Sequence, residues 1–485
     1  MKLDAAQNFI GGKWVDPVDG STIPIIEPAT GKAFGVIADS IPRDVDTAVR
    51  AARKAFDEGA WGRTTATDRG RMLLRFSNLV LTNAGELAAI EAKDTGKPRS
   101  AADADMVALA RYLEFYGGAA DKHHGEIVPY LNGYHVGVIR EPHGVTGHIT
   151  PWNYPAQMFG RTLAPSLAVG NATVLKPAED ACASSLRLAE IAAEAGFPEG
   201  AINVVTGRGH VAGAALCAHP GVDFMSFTGS PEVGQTIQKL CADHFVTCTL
   251  ELGGKSPQIV FADADLDAAI PVIVRAIVQN SGQTCSAGSR VLIERSIYDS
   301  FAERLAAIFA TVRVGAPEMN LDCGPIISAK QQSRVQGFIE QAKEDGIPIL
   351  AQGQLAAGIA ATGFYVIPTL FSPVPRANII AREEVFGPVL TILPFDDESD
   401  AVCLANATDY GLVAGVWTRD GGRQLRMVKR LRAGQVFVNC YGAGAGIELP
   451  FGGSGKSGHG REKGFSALDD FTKTKTMVLN YGLTA

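Results

Sequence analysis

No two of the eight cysteines stand in a CxxC pair, and none sits at a metal-like spacing from histidine. Their scatter over positions 182, 217, 241, 248, 285, 323, 403 and 440 argues against a disulfide framework and a zinc site, and suits a reducing compartment. Basic clusters are missing as well. The formal charge is −7, from 44 Lys and Arg against 51 Asp and Glu, which speaks against a nucleic-acid or membrane-surface protein. No uncharged apolar run reaches membrane-spanning length. Residues Met1 to Ile10 lack the apolar core of a signal peptide. Repeats, low-complexity tracts and proline-rich linkers are also lacking. These absences lead to the expectation of a cytoplasmic protein with no metal, no nucleic-acid partner and no membrane partner.

What is present is a chain of 485 residues, 46% apolar and with 54 glycines, long enough for at least two large domains. Between about residues 143 and 254, short apolar runs alternate with helical patterns. Strands are predicted at 144–150, 172–176, 201–206, 222–227 and 246–252, with helices near 156–169, 183–195, 210–218 and 231–242. In the second helix Leu188, Ile191, Ala192 and Ala195 share one face. Such alternation predicts a parallel sheet covered on both sides, a doubly wound α/β domain whose ligands bind beyond the carboxyl ends of the strands. A second α/β series follows residue 254, with helices at 267–279, 298–309 and 328–344 and strands at 290–294, 389–393 and 435–439. Residues 123–145 and the tail 472–480 read as extended arms.

One cysteine stands apart. The segment 280–289 reads NSGQTCSAGS, so Cys285 lies among small polar residues, after an apolar helical run and before a strand. A thiol so placed has room to meet a substrate, whereas one packed among leucines would not and would resist ionisation. Taken alone, a small buried hydrophobe stands beside the nucleophile as a reading. Gly207 to Gly213 spells GxGxxxG between a strand and a helix, a phosphate loop or a plain turn. Gly229 and Ser230 fall where a strand meets the helix starting near Pro231. That is either an ordinary N-cap or a place where free N–H groups and the helix dipole favour a phosphate. Lys176 ends a strand and, with Glu179, is either a solvated pair or a ligand contact at the sheet edge.

Further segments set these residues in one frame. TPWNYP at 150–155, LKPAE at 175–179, FTGS at 227–230, LELGGKSP at 250–257, GQTC at 282–285, EEVFGP at 383–388 and PFGG at 450–453 follow one another in the chain. In order and approximate spacing they resemble the motifs of the NAD(P)-dependent aldehyde dehydrogenase superfamily, over essentially the whole chain from Asn8 onward. The resemblance implies an α/β protein of two doubly wound Rossmann-like domains plus a small β oligomerisation domain. It divides the chain into an NAD-binding domain of residues 1–123 and 143–253, a catalytic domain of 254–465, and an oligomerisation arm of 124–142 and 466–485. The arm implies a homodimer or homotetramer. The cofactor implied is NAD, because a carboxylate at Glu179 repels a 2′-phosphate, with NADP as the alternative.

By the same resemblance the catalytic set is Cys285, Glu251, Asn153 and Lys176. Cys285 attacks the aldehyde, because a tetrahedral adduct gives up hydride where a free carbonyl does not. Asn153, on a loop pinned by Pro151 and Pro155, donates to the oxyanion together with the N–H of Cys285. Glu251 takes the proton of the water that hydrolyses the thioester, so the product is a free acid, and Gly253 and Gly254 give it freedom. The cofactor set is Thr150, Pro151, Trp152, Asn153, Lys176, Glu179, Gly209, Gly213, Phe227, Thr228, Gly229, Ser230, Val233, Leu252, Glu384 and Phe386. Substrate contacts fall to Tyr154, Met158, Arg161, Thr284, Ser286 and Phe451. An arginine like Arg161 recurs in relatives that oxidise succinic semialdehyde and in others that oxidise hydroxylated aromatic aldehydes. The small-residue loop 439–446 leaves room at the tunnel mouth. A bulky or aromatic aldehyde is therefore expected, with a short ω-carboxy semialdehyde as the alternative. A cofactor-independent thiol esterase using Cys285 and Glu251 is the reading from a different class.

Overall fold

Strands Ala172–Pro177, Val145–Thr150 and Phe224–Thr228 are buried at every position. That is the mark of strands covered on both faces rather than one. The computed structural model describes residues 6–442 and 446–482. In it Ile202–Val204, Ala172–Pro177, Val145–Thr150, Phe224–Thr228 and Thr247–Glu251 lie side by side in that order, all parallel. The chain fills one side of Val145–Thr150 first and then crosses to the other. The loops leaving Val145–Thr150 and Phe224–Thr228 thus flank the point where the winding reverses, which is where open α/β sheets bind ligands. Asn8–Ile10 adds antiparallel to Ile202–Val204 with Lys13–Val15 outside it at that edge, and Gly458–His459 closes the other, against Thr247–Glu251.

A second sheet runs Ile349–Gln352, Thr369–Phe371, Val389–Phe395, Arg290–Glu294, Pro257–Val260, Val413–Trp417 and Gln435–Val438. Its first pair is antiparallel and the rest parallel. The arms predicted around 123–145 and 472–480 form a third, antiparallel sheet. Thr472–Asn480 pairs with Tyr134–Pro142 along its whole length, and Glu126–Val128 lies on the far side. One large core surrounds the first sheet, and two smaller ones cover the faces of the second. Ile447, Leu468 and Phe471 pack into the first of these, so the chain returns to its starting layer before entering the arm.

The predicted helix near 210–218 is found at 209–217, with Gly209–Gly213 wound as a wide π-helical turn ahead of the α-helical turn Ala214–Cys217. Two glycines there weaken a regular helix. Among the described residues no helix is long and apolar enough to cross a membrane, and no group of three or more His, Cys, Asp or Glu could hold a metal ion.

Candidate active site

A cleft of about 950 Å³, counting its open mouth, lies at the reversal point and faces the second sheet. Pro151 and Trp152 line it from the first loop, and Gly229 and Ser230 from the second. Leu252, Glu384 and Phe386 close it from the other side. Ser230 caps the helix Pro231–Asp243 by accepting the N–H of Val233 at 3.4 Å. Pro231 has no N–H and the Gly234 N–H donates to the Ser230 carbonyl at 2.9 Å, which leaves the Glu232 N–H without a partner in the helix, the usual invitation to an anion. Val233 itself is exposed, while Phe227, Thr228 and Thr150 are buried at the strand ends. The Phe227 ring lies directly against Gly229, where a Cβ would come within 2.5 Å of it. Trp152 and Phe386 meet edge to face at 5.4 Å.

Lys176 and Glu179 gather nearby. The Lys176 ammonium donates to Glu179 Oε2 at 2.8 Å, and Glu179 Oε1 accepts the Gly209 N–H at 3.2 Å. Burial works to raise the Glu179 carboxyl, but Lys176 outweighs it and brings it down. Gly213 packs beside the Lys176 stem.

The paired glycines after Glu251 have a reason that differs from the sequence reading. They do not serve to loosen Glu251. A Cβ on Gly253 would stand 2.1 Å from Glu384 Oε2, and one on Gly254 would stand 2.5 Å from the Cys285 carbonyl oxygen. The Gly254 N–H donates to Glu384 Oε1 at 2.8 Å. Burial pushes the Glu384 carboxyl up to about 7. Bare backbone is what lets the acidic loop and the thiol loop approach the same strand end.

Cys285 is presented by three successive left-handed residues, Asn280, Ser281 and Gly282, with φ of 48°, 56° and 74°. Two of them carry a Cβ, so this turn must be held from outside. Asn280 Nδ2 donates to the Asn153 carbonyl at 2.9 Å, and Ser281 Oγ to the Gly324 carbonyl at 2.8 Å. The thiol sits half-buried where the large cleft meets a second cavity, and it lines both. Removal from bulk water pushes it up to about 11, with Arg161 acting in the opposite direction. Asn153 is buried behind it; its Nδ2 donates to the Gln283 carbonyl at 3.0 Å, and neither cavity is lined by its side chain. Beneath Asn153 lies a network absent from the sequence reading. Lys97 Nζ donates to the Asn153 carbonyl at 3.1 Å and pairs with Asp105 and with Glu91. Burial opposes the Lys97 charge, but the two carboxylates win and raise it.

The second cavity, about 590 Å³, collects all six residues predicted to touch substrate. Tyr154 hydroxyl and Thr284 Oγ1 are 2.8 Å apart, and Gln279 donates to that tyrosine at 2.9 Å. Met158 and Ser286 line the wall, and the Arg161 guanidinium lies 4.3 Å over the Phe451 ring. Arg161 is paired with Glu462 and stands 3.8 Å from Glu251. Burial disfavours its charge, yet Glu462 and its neighbours hold it firmly protonated. Glu251 is only 2% exposed, and burial together with Glu462 raises its carboxyl well above the ordinary range.

Sequence reasoning missed Tyr112, Lys463 and Glu462 here; each comes from a segment carrying no motif, and only the tertiary fold brings it to the thiol. The loop 439–446 is less bare than its glycines suggest, because Tyr441 lines the cavity and donates to the Ser286 carbonyl at 2.7 Å. Ala443, Gly444 and Ala445 of that loop lie outside the described residues.

The aldehyde dehydrogenase family model matches residues 14–477, and the chain belongs to that family of oxidoreductases. Among curated relatives, a mitochondrial benzaldehyde dehydrogenase of Antirrhinum majus is 41% identical over 473 residues, covering 97% of this chain and 88% of that protein. A mitochondrial aldehyde dehydrogenase of Homo sapiens is also 41% identical, over 98% and 92%. Among solved structures, a candidate aldehyde dehydrogenase of Burkholderia cenocepacia is 60% identical, with a TM-score of 0.98 over 98% of this chain and 100% of that one. The betaine aldehyde dehydrogenase of Staphylococcus aureus, solved in complex with NAD+, is 33% identical with a TM-score of 0.96 over 99% and 96%.

Proposed function

We propose that this aldehyde dehydrogenase oxidises a bulky or aromatic aldehyde to the free carboxylic acid with NAD. The observation that carries the reading is the position of Cys285, among the described residues the one nucleophile that lines both the dinucleotide-sized cleft and the aromatic cavity. The cleft fits a dinucleotide in shape and chemistry: a glycine at its strand end, an open helix N-terminus for phosphates, and Lys176 with Glu179 at a distance for ribose hydroxyls. When bound, the nicotinamide supplies the acceptor for the aldehyde hydride. The mitochondrial benzaldehyde relative and the NAD+-bound betaine aldehyde structure favour the same substrate type and cofactor.

Cys285 Sγ attacks the carbonyl carbon and makes a thiohemiacetal, whose oxyanion takes a hydrogen bond from the Cys285 N–H. By resemblance Asn153 is the second donor, through the Nδ2 hydrogen not engaged by Gln283, and for this its side chain must turn out from behind the thiol. After oxidation the acyl group remains on sulfur as a thioester. Glu251, at the edge of the cleft, then removes a proton from water, and the acid leaves. Its raised carboxyl must first lose a proton, and Arg161 and Arg461 favour that loss. The third sheet joins copies of the chain into a dimer or tetramer, and the free thiols suit a cytoplasmic home.

The test is NADH formation without coenzyme A from benzaldehyde, hydroxybenzaldehydes and aliphatic aldehydes. A preference of about tenfold in kcat/KM for the aromatic set, or about 1.4 kcal/mol, supports the reading. No NADH from any of them overturns it.

A further inference from the structure

A third cavity, about 260 Å³ counting its open mouth, lies where the strands Pro257–Val260 and Arg290–Glu294 begin. Lys255 and Arg290 line it, and they are only 1% and 2% exposed. Arg432 lines it as well, and among the described residues no carboxylate does. Cys285 and Glu251 are not on its wall, so the reaction makes no use of it.

The Lys255 ammonium has no hydrogen-bond partner among the described residues. A buried ammonium ordinarily has one, because an unmatched charge in the interior is costly. Arg290 reaches carbonyl oxygens only. It donates from Nε to Lys255 at 2.9 Å, from Nη1 to Leu404 at 3.2 Å and from Nη2 to Ala405 at 2.9 Å. Those bonds orient the guanidinium, cancel none of its charge, and leave two of its N–H groups for another acceptor. The carboxylates nearest to Lys255 are occupied elsewhere. Glu384 accepts the Gly254 N–H at 2.8 Å, Glu383 accepts the Tyr410 hydroxyl at 3.4 Å, and both line the dinucleotide cleft.

We propose that this cavity binds a single monovalent anion of the halide class, held by the Lys255 ammonium and the Arg290 guanidinium. Two adjacent buried cations without a carboxylate call for a counter-ion. Much of the rest of the wall is apolar, from Pro257, Leu412, Val413 and Leu431. A weakly hydrated ion with one charge tolerates such walls and is satisfied by these two donors. A sulfate or phosphate has more charge and more acceptor oxygens than they can match.

The charged and titratable groups around Lys255 are Arg290, Glu384 and Glu383, with Arg432 and Tyr410 on the cavity wall. Burial, with Arg290, brings the lysine down to about 7, and the two glutamates act the other way. Burial brings Arg290 down only to about 10, so it keeps its charge at neutral pH. The anion binds the charged form of the lysine. Its affinity is therefore full below about pH 7 and falls as pH rises through that value.

The experiment has two parts. Wild-type crystals grown in sodium bromide at about pH 6 are measured at the bromine absorption edge, on the acid side of the lysine. The melting temperatures of the wild type and of Lys255→Met are then followed as chloride replaces gluconate at constant ionic strength. The expected result is an anomalous peak in contact with Lys255 Nζ. Chloride at about 0.15 M should raise the wild-type melting temperature by about 2 °C over gluconate at that pH. The gain should shrink toward about pH 9 and be absent in Lys255→Met. Where Lys255→Met does not fold, the wild-type pH series decides, and a gain that does not shrink overturns the proposal. No bromide peak at Lys255 overturns it as well. A peak without any chloride gain is binding at crystal concentration only and overturns it too, as does a gain that persists in Lys255→Met.

Discussion

Cys285 faces two opposing influences: burial that disfavours its thiolate, and the positive charges of Arg161 and Lys463 that favour it. Burial dominates, and a thiol held near 11 is mostly protonated at neutral pH. Alkylation of Cys285 by iodoacetamide in the absence of dinucleotide should therefore quicken by about tenfold per pH unit between pH 7 and 9. Peptide mass spectrometry reads it at this position, apart from the exposed Cys403 and Cys440. A rate flat across that range would mean that the thiol is already ionised and that the cations outweigh burial. Arg161 gives a second expectation at this scale. Arg161→Met leaves Glu462 without its ion-pair partner, so the carboxyl of Glu251 should titrate higher still, and the pH at which kcat is half-maximal should move upward.

At the level of elements, the parallel strands were legible because each is an apolar run bounded by turn residues, and their carboxyl ends carry the motif residues. Arg290–Glu294 and Tyr298–Phe309 match the predicted spans, and Val145–Thr150 differs from its own by one residue. Lys97 was not legible. Nothing in GKPRS marks a lysine as buried; its burial follows from the helix Arg99–Ala119 and the loop of Asn153 closing over it. Lys463 was hidden for the same reason, since a positive φ and a cavity wall are properties of the folded chain. The Lys97 network fixes the backbone of Asn153 and touches Gln157 through Asp105. Removing one partner of a buried ion pair typically costs about 3–5 kcal/mol, because the other charges stay behind. Lys97→Met should lower the temperature of thermal inactivation and reduce kcat more than it changes KM. An unaltered kcat with lowered stability would confine the network to folding. Gly254→Ala tests the contact between elements more locally. Its methyl displaces the Cys285 carbonyl, and misplacement by about 1 Å can cost about a hundredfold in kcat.

Across the whole molecule, the thiol is assembled from parts far apart in sequence: the reversal loop, the helix that follows it, the left-handed turn and a late return of the chain. Cys285 and the two flanking motifs could be named from sequence because they are local strings; the cation pair and the ion network could not. The third sheet leaves Ile127, Val478, Leu479 and Tyr481 exposed, and its outer strands have unpaired edges. Such edges and apolar groups call for a covering partner. Sedimentation should give two or four times the mass of the chain, and Val478→Asp should shift it toward smaller species. A wild-type monomer would contradict this.

The central claim is a covalent acyl group on Cys285 that Glu251 helps to release. Glu251→Gln, mixed with benzaldehyde and NAD, should form about one NADH per active site and then stall. Mass spectrometry of the intact protein and of the Cys285 peptide should show the acyl group at that sulfur. NADH formed with no adduct, or an adduct on another residue while turnover continues, would contradict the account.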